Sequence, residues 1–206
     1  MIDVLFIQGA SKGAHVADAK LAASLAEHLG ADYKVRYPRM PREDEPRYGA
    51  WASTFSNELA EANSPLVFVG HSLGASFLLR YLALNDIEPR PLGVFLAAAP
   101  YVGGLGWPGV DFELPAQASA RLQEMRVFFF QGGADEVVPA AHMTLYEKAL
   151  PHATVRRLPG RNHQLDDDLI EIAAAIRQPA QLPNVRHERR AKGREAGLGT
   201  PAGTRS

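Results

Sequence analysis

The sequence predicts an α/β protein, a three-layer sandwich whose parallel sheet of about six strands, in the order 2-1-3-4-5-6, carries helices on both faces. Three observations point there. Short apolar runs alternate with helical stretches along the first 178 residues. The runs ending at Val69, Gln131 and Leu158 each pass at once into a glycine-containing loop that holds a polar residue. One such loop, Gly70-His71-Ser72-Leu73-Gly74, stands directly between a strand-like run and a long stretch without a helix breaker.

Taken in order, the first strand runs from Val4 to Gln8 and enters the loop Gly9-Ala10-Ser11-Lys12-Gly13. A helix follows, with Leu21, Leu25 and Leu29 stacked at four-residue spacing and Gly30 just past its end. Tyr33 to Tyr37 reads as the second strand, closed by Pro38, and a charged, proline-containing loop from Arg39 to Arg47 leads to a helix over Tyr48 to Ala62. Leu66 to Val69 is the third strand. The helix after it, Leu73 to Asn85, carries Phe77, Leu78, Tyr81 and Leu82 with little polar surface, as a buried central helix should. Gly93 to Ala97 is the fourth strand. Arg126 to Gln131 is the fifth, with a helix opening at Pro139, and Ala153 to Leu158 is the last. The final helix, Gln164 to Arg177, would place Asp166, Asp167 and Asp168 in its first turn, where carboxylates complement the helix dipole. It would bury Leu169, Ile172, Ala173 and Ile176.

Composition agrees with one domain over residues 1–178. The 206-residue chain is 46% hydrophobic, enough for one substantial core, and its net charge of −1 suggests neither a nucleic-acid nor a membrane partner. It has no cysteine, which excludes disulfides, thiolate catalysis and cysteine metal sites. The N-terminus enters a strand without a charged and apolar leader, so a cytoplasmic protein is expected. From Gln178 onward proline, glycine and a basic cluster (Arg186, Arg189, Arg190, Lys192, Arg194) replace the large apolar residues. Residues 179–206 read as a disordered basic tail, and a solvated extension explains it better than contact with RNA or anionic lipid.

The chemistry starts at Ser72. G-x-S-x-G between a strand and a helix is a nucleophile elbow, a turn sharp enough to push the serine into strained backbone space and expose its hydroxyl at the carboxyl end of the sheet. A serine hydroxyl needs a base, and in this arrangement an acid and then a histidine follow on later strand ends. Gly132-Gly133-Ala134-Asp135-Glu136 and Gly160-Arg161-Asn162-His163 supply both, giving the triad Ser72, Asp135 and His163. Glu136 is the alternative acid, but Asp135 stands directly after the glycine-rich turn. His71 is explained by packing beside the serine, and His15 by its place at a helix start. His28, His142, His152 and His187 read as surface. Ser76 lies within the helix and lacks the elbow geometry.

Ile7-Gln8-Gly9-Ala10, the elbow, the Asp135 loop and the His163 loop together resemble the α/β-hydrolase superfamily over residues 1–178. The short lead-in and the close spacing of Ser72, Asp135 and His163 look like the small single-domain serine hydrolases similar to retinoblastoma-binding protein 9. The resemblance implies a serine hydrolase acting on a small acyl ester through an acyl-enzyme, without metal or organic cofactor. It places the oxyanion at the backbone N–H of Leu73 and that of Ala10 (or Ser11). Gln8-Gly9 stands where many esterases have His-Gly. The glycine-rich, aromatic segment from Pro100 to Phe112 is expected to wall the site, with Trp107, Tyr101 and Phe112 bounding a shallow pocket for a small-molecule acyl substrate. A non-catalytic binding protein on the same scaffold, or an acyltransferase using the same triad, stays open. Oligomeric state is not readable.

Overall fold

The first strand, β1 (Ile2–Ile7), is apolar and buried on both faces from Val4 to Ile7. Val4 and Phe6 join one core, Leu5 and Ile7 the other. That continuous apolar pattern is what an interior parallel strand requires, because helices cover both of its sides. The structure is a computed structural model that describes residues 1–105, 107 and 111–178. The basic tail, with His187, and the wall residues Gly106, Pro108, Gly109 and Val110 lie outside the described residues.

After β1 come α1 (Ala14–Leu29), β2 (Tyr33–Arg36), α2 (Tyr48–Glu61), β3 (Leu66–His71), α3 (Leu73–Leu84) and β4 (Val94–Ala97). The second half adds α4 (Ala118–Leu122), β5 (Val127–Gly132), α5 (Ala141–Ala149), β6 (Thr154–Leu158) and α6 (Ile170–Arg177). The strands form one parallel sheet in the order β2-β1-β3-β4-β5-β6, as expected. α1 and α6 pack Leu21, Leu25, Ile172 and Ile176 over one face. Trp51 and Phe55 of α2, Phe77 and Leu78 of α3, and Met143 and Tyr146 of α5 cover the other. Full burial of one such side chain contributes roughly 2 kcal/mol, so these two cores hold the sheet edge on which the loops sit.

Two elements differ from the sequence reading. α4 is a short helix that nothing in the apolar spacing announced, held by Ala118 and Leu122 against the core. The last helix starts later than expected, at Ile170, after a separate 3₁₀ turn over Leu165–Asp167. Asp166, Asp167 and Asp168 therefore precede the helix instead of filling its first turn. Asp168 accepts the Ile170 N–H at 3.0 Å and also meets His28 Nε2 at 2.8 Å, which ties α1 to the start of α6. No helix among the described residues is long and apolar enough to cross a membrane.

The connection out of β1 runs to β2 on one side and that out of β3 to β4 on the other, so the strand order reverses between β1 and β3. A crevice opens outside the carboxyl ends of the strands at such a switch point. The loops after β1, β3, β5 and β6 meet there.

Candidate active site

Ser72 is the residue between β3 and α3, and its backbone stands at φ 51°, ψ −124°. A non-glycine residue at positive φ costs about 1–3 kcal/mol and persists only where its surroundings impose it. Here the Ser72 N–H donates to the Ala97 carbonyl of β4 at 2.8 Å, and the Ser72 carbonyl accepts the Ala75 N–H at 3.0 Å. The flanking glycines are required by close approach. A Cβ on Gly70 would stand 2.8 Å from the Ala75 backbone, and one on Gly74 would run into the carbonyl oxygens of Ile7 and Gln8. The elbow is thus seated directly against the end of β1.

His163 and Asp135 meet Ser72 from the two other loops. His163 Nε2 is 3.2 Å from Ser72 Oγ, and His163 Nδ1 lies 3.1 and 3.0 Å from the two carboxylate oxygens of Asp135. An ionised carboxylate can only accept, so the Nδ1 proton belongs to the ring and the Nε2 lone pair faces the hydroxyl. Asp135 is itself held on all sides. Oδ1 accepts the Val137 and Val138 N–H groups at 2.9 and 2.8 Å, and Oδ2 accepts Gln131 Nε2 at 2.9 Å. Burial alone would push this carboxyl up. The hydrogen bonds from His163, Val138 and Val137 reverse that and keep it below the ordinary carboxylate value. The two loops are stitched together as well, Gly133 N–H to Leu158 O at 2.8 Å and Ala134 N–H to Arg161 O at 2.9 Å. Glu136 is exposed beside them and holds none of these contacts.

The loop after β1 is anchored by three polar residues, Gln8, Glu43 and Asp18, whose contacts the sequence did not reveal. Gln8 is fully buried and does not face the serine. Its amide donates to Glu43 at 2.9 Å, and its carbonyl oxygen accepts the Met40 N–H at 3.1 Å. Glu43 also accepts the Gly13 and His15 N–H groups at 3.1 and 2.8 Å. Asp18, buried in α1, accepts the Gly9 N–H at 2.7 Å and meets His71 Nδ1 at 2.8 Å. Among the described residues, the N–H groups of Ala10 and Leu73 have no acceptor of their own.

These elements enclose a cleft of about 210 Å³ lined by Ser72, His163, Ala10, Ala14, Ala17, Val137 and Trp107. Trp107, one of the three aromatic residues expected at the pocket, is on this lining. Phe112 is not: it is buried in the core, 5.5 Å from the Trp51 ring, because the apolar floor between α2 and α3 draws it in. Tyr101 also faces away from the cleft, packing on Tyr146 at 5.0 Å. His142, expected at the surface, is buried. Its Nδ1 accepts the Tyr101 N–H at 2.8 Å, and its ring stands edge-on to Trp107 at 5.9 Å. His28 and His152 are half-buried. His15 packs its ring on Tyr37. Ser76 is occupied in α3, donating to Pro100 O at 2.6 Å. Among the described residues no group of three or more histidine or acidic side chains could hold a metal ion.

The fold recurs among solved structures at low sequence identity. The ydeN gene product of B. subtilis matches with a TM-score of 0.63 and 17% identity over 85% of this chain and 97% of that one. A pyrethroid hydrolase from Sphingobium faniae JZ-2 gives 0.59 and 16% over 85% and 96%. XC6422 from Xanthomonas campestris, an α/β serine hydrolase without a lid, gives 0.56 and 19% over 85% and 78%. No curated protein matches the chain in sequence. The model of the serine hydrolase family matches residues 15–128, more than half of the chain and inclusive of the elbow. With the six-stranded sheet and the strained Ser72 beside them, these findings mean that the chain belongs to the serine hydrolase family, within the α/β-hydrolase fold.

Proposed function

We propose that the protein hydrolyses small carboxylic esters through an acyl-enzyme on Ser72. The observation that carries this reading is the unbroken chain Ser72 Oγ–His163–Asp135, with a proton acceptor facing a strained, cleft-lining hydroxyl. His163 Nε2 takes the Ser72 proton as Oγ attacks the acyl carbonyl, and Asp135 holds the ring in the needed tautomer and stabilises the imidazolium. The tetrahedral oxyanion is met by the N–H groups of Leu73 and Ala10, each worth roughly 3 kcal/mol of barrier. His163 then returns the proton to the leaving alcohol. Water, activated by the same imidazole, releases the acid and restores Ser72.

The acyl group is short. The apolar part of the cleft lining is three alanines, Val137 and Trp107, and about 210 Å³ falls below the usual range for a drug-sized ligand. The same groups would serve an acyltransferase if an alcohol or amine displaced water, and product analysis with such acceptors separates the two. The deciding experiment treats the protein and its Ser72→Ala variant with a fluorophosphonate and records intact mass. One adduct on the wild type and none on the variant is expected. A folded wild type that takes no adduct would move a non-catalytic binding role to the front.

A further inference from the structure

A second aspartate–histidine pair lies behind the first. His71, the last residue of β3, and Asp18 of α1 are almost wholly enclosed, their side chains 2% and 1% exposed. His71 Nδ1 is 2.8 Å from Asp18 Oδ2, and His71 Nε2 is 3.1 Å from the backbone carbonyl of His163. A carbonyl oxygen only accepts, so Nε2 carries a proton. Asp18 Oδ2 already accepts the Gly9 N–H at 2.7 Å, and a second proton must lie between Oδ2 and Nδ1 for that contact to be a bond. The pair therefore holds one proton more than a neutral imidazole beside a carboxylate would.

We propose that Asp18 and His71 form a proton-loaded imidazolium–carboxylate clamp that positions the oxyanion loop, through Gly9, and the base loop, through the His163 carbonyl, around Ser72. Three loops that must agree within a fraction of an ångström are thereby tied to one buried unit. Gly9 presses close enough that a Cβ there would stand 3.1 Å from Ser72 Cβ. The two imidazole rings lie 4.9 Å apart. Stability alone does not account for such a pair, because well-packed apolar side chains of the same volume serve a core equally well or better. The direction of the charges agrees. Burial would drive the His71 ring toward neutrality, but the Asp18 carboxylate beside it and the His163 carbonyl hold it above its ordinary value. The other charged or titratable groups near His71 are His163 itself and, beyond it, Asp135. His71 and Asp18 are positioning residues. They act through Gly9 and His163 and take no proton from the substrate.

The inference rests on the ester-hydrolase reading of Ser72 and His163, and two measurements keep the two apart. The first is nitrogen-15 NMR of the wild-type histidine rings at pH 7. His71 is expected to show both ring nitrogens protonated; a single protonated nitrogen overturns the clamp whether or not the protein is an esterase. The second compares wild type with His71→Asn, whose amide replaces Nδ1 toward Asp18 but cannot reach the His163 carbonyl. With an acetyl ester, kcat is expected to fall about 100-fold while KM changes little. Tm falls as well, because Asp18 is left buried without its cation, and kcat is therefore compared at a temperature where circular dichroism shows the variant folded. His71→Gln combined with Asp18→Asn, which restores a donor toward His163 and removes the buried charge, should regain most of that loss. A folded His71→Asn protein with wild-type kcat and wild-type fluorophosphonate labelling rate overturns the proposal. A wild type that is never labelled refutes the hydrolase reading instead, while the ring signature still tests the clamp.

Discussion

Two aspartate–histidine pairs stand side by side at the carboxyl edge of the sheet, and what lies at the far nitrogen separates them. His163 turns Nε2 toward the hydroxyl of Ser72, a group that can donate, so one ring proton, held by Asp135, is enough. His71 turns Nε2 toward a carbonyl, which cannot donate, so its ring needs both protons. Exposure differs in the same sense, since the His163 side chain is 14% exposed and that of His71 only 2%, although both border the cleft. The same two residue types are thus set for a base in one place and, in our proposal, for a fastener in the other. The partner of the distal nitrogen decides which.

The hardest strain on that distinction is the same isosteric change made twice. Asp135→Asn removes the acceptor that fixes the His163 tautomer and should lower kcat by about 10⁴-fold. Asp18→Asn removes only half of a clamp and should cost about 100-fold. Equal losses, read from kcat on one ester, would mean that both pairs serve the proton transfer. A smaller effect is expected at the cleft wall. Trp107→Ala should shift the ratio of kcat/KM for acetyl over hexanoyl esters by about tenfold toward the longer chain. An unchanged ratio would mean that Trp107 merely covers the sheet edge.

The last prediction concerns stability against pH. His71 in the folded protein titrates above its ordinary 6.5, so its stabilisation is complete below that value and is lost as pH rises through the higher folded one. Asp18 titrates below its ordinary 3.8, so its stabilisation is complete above that value and is lost as pH falls through the lower folded one. Between 3.8 and 6.5 both contribute in full. The Tm advantage of wild type over the Asp18→Asn, His71→Gln double variant should be widest in that window. It should shrink on the alkaline side by about 2–4 °C for each kcal/mol lost. A constant difference across the range would show that neither group changes its proton affinity on folding.

The sheet order and the loops carrying Ser72, Asp135 and His163 were legible because each depends on a local pattern, an apolar run closed by a glycine-bearing turn. The clamp was not. Asp18 sits on a helix whose two carboxylates, Asp18 and Glu27, both look like solvated surface, and its partner is 53 positions away. His142 was read as surface for the same reason: a short helix shows too few turns to reveal which side faces inward. Gln8 could be located but not interpreted, since nothing in Ile7-Gln8-Gly9 says that its amide reaches the loop after β2. Phe112 illustrates the opposite error. An aromatic residue in a glycine-rich segment near the edge was assigned to the pocket, yet the space between α2 and α3 offered it a better-packed position.

Two helices begin beside the cleft, and only one keeps its field available. Gly13, at the start of α1, offers no side-chain cap, and Glu43 fills that place with a carboxylate bonded to the Gly13 and His15 N–H groups. The positive end of α1 is thereby neutralised from within the protein. α3 begins at Leu73 with no such anion bonded to it among the described residues. An anion gains little at α1, whereas in the proposed acyl transfer the attacked carbonyl would develop its charge over α3. Under the proposed reaction, the open end of α3 is the one placed to meet the negative charge that forms on the substrate oxygen.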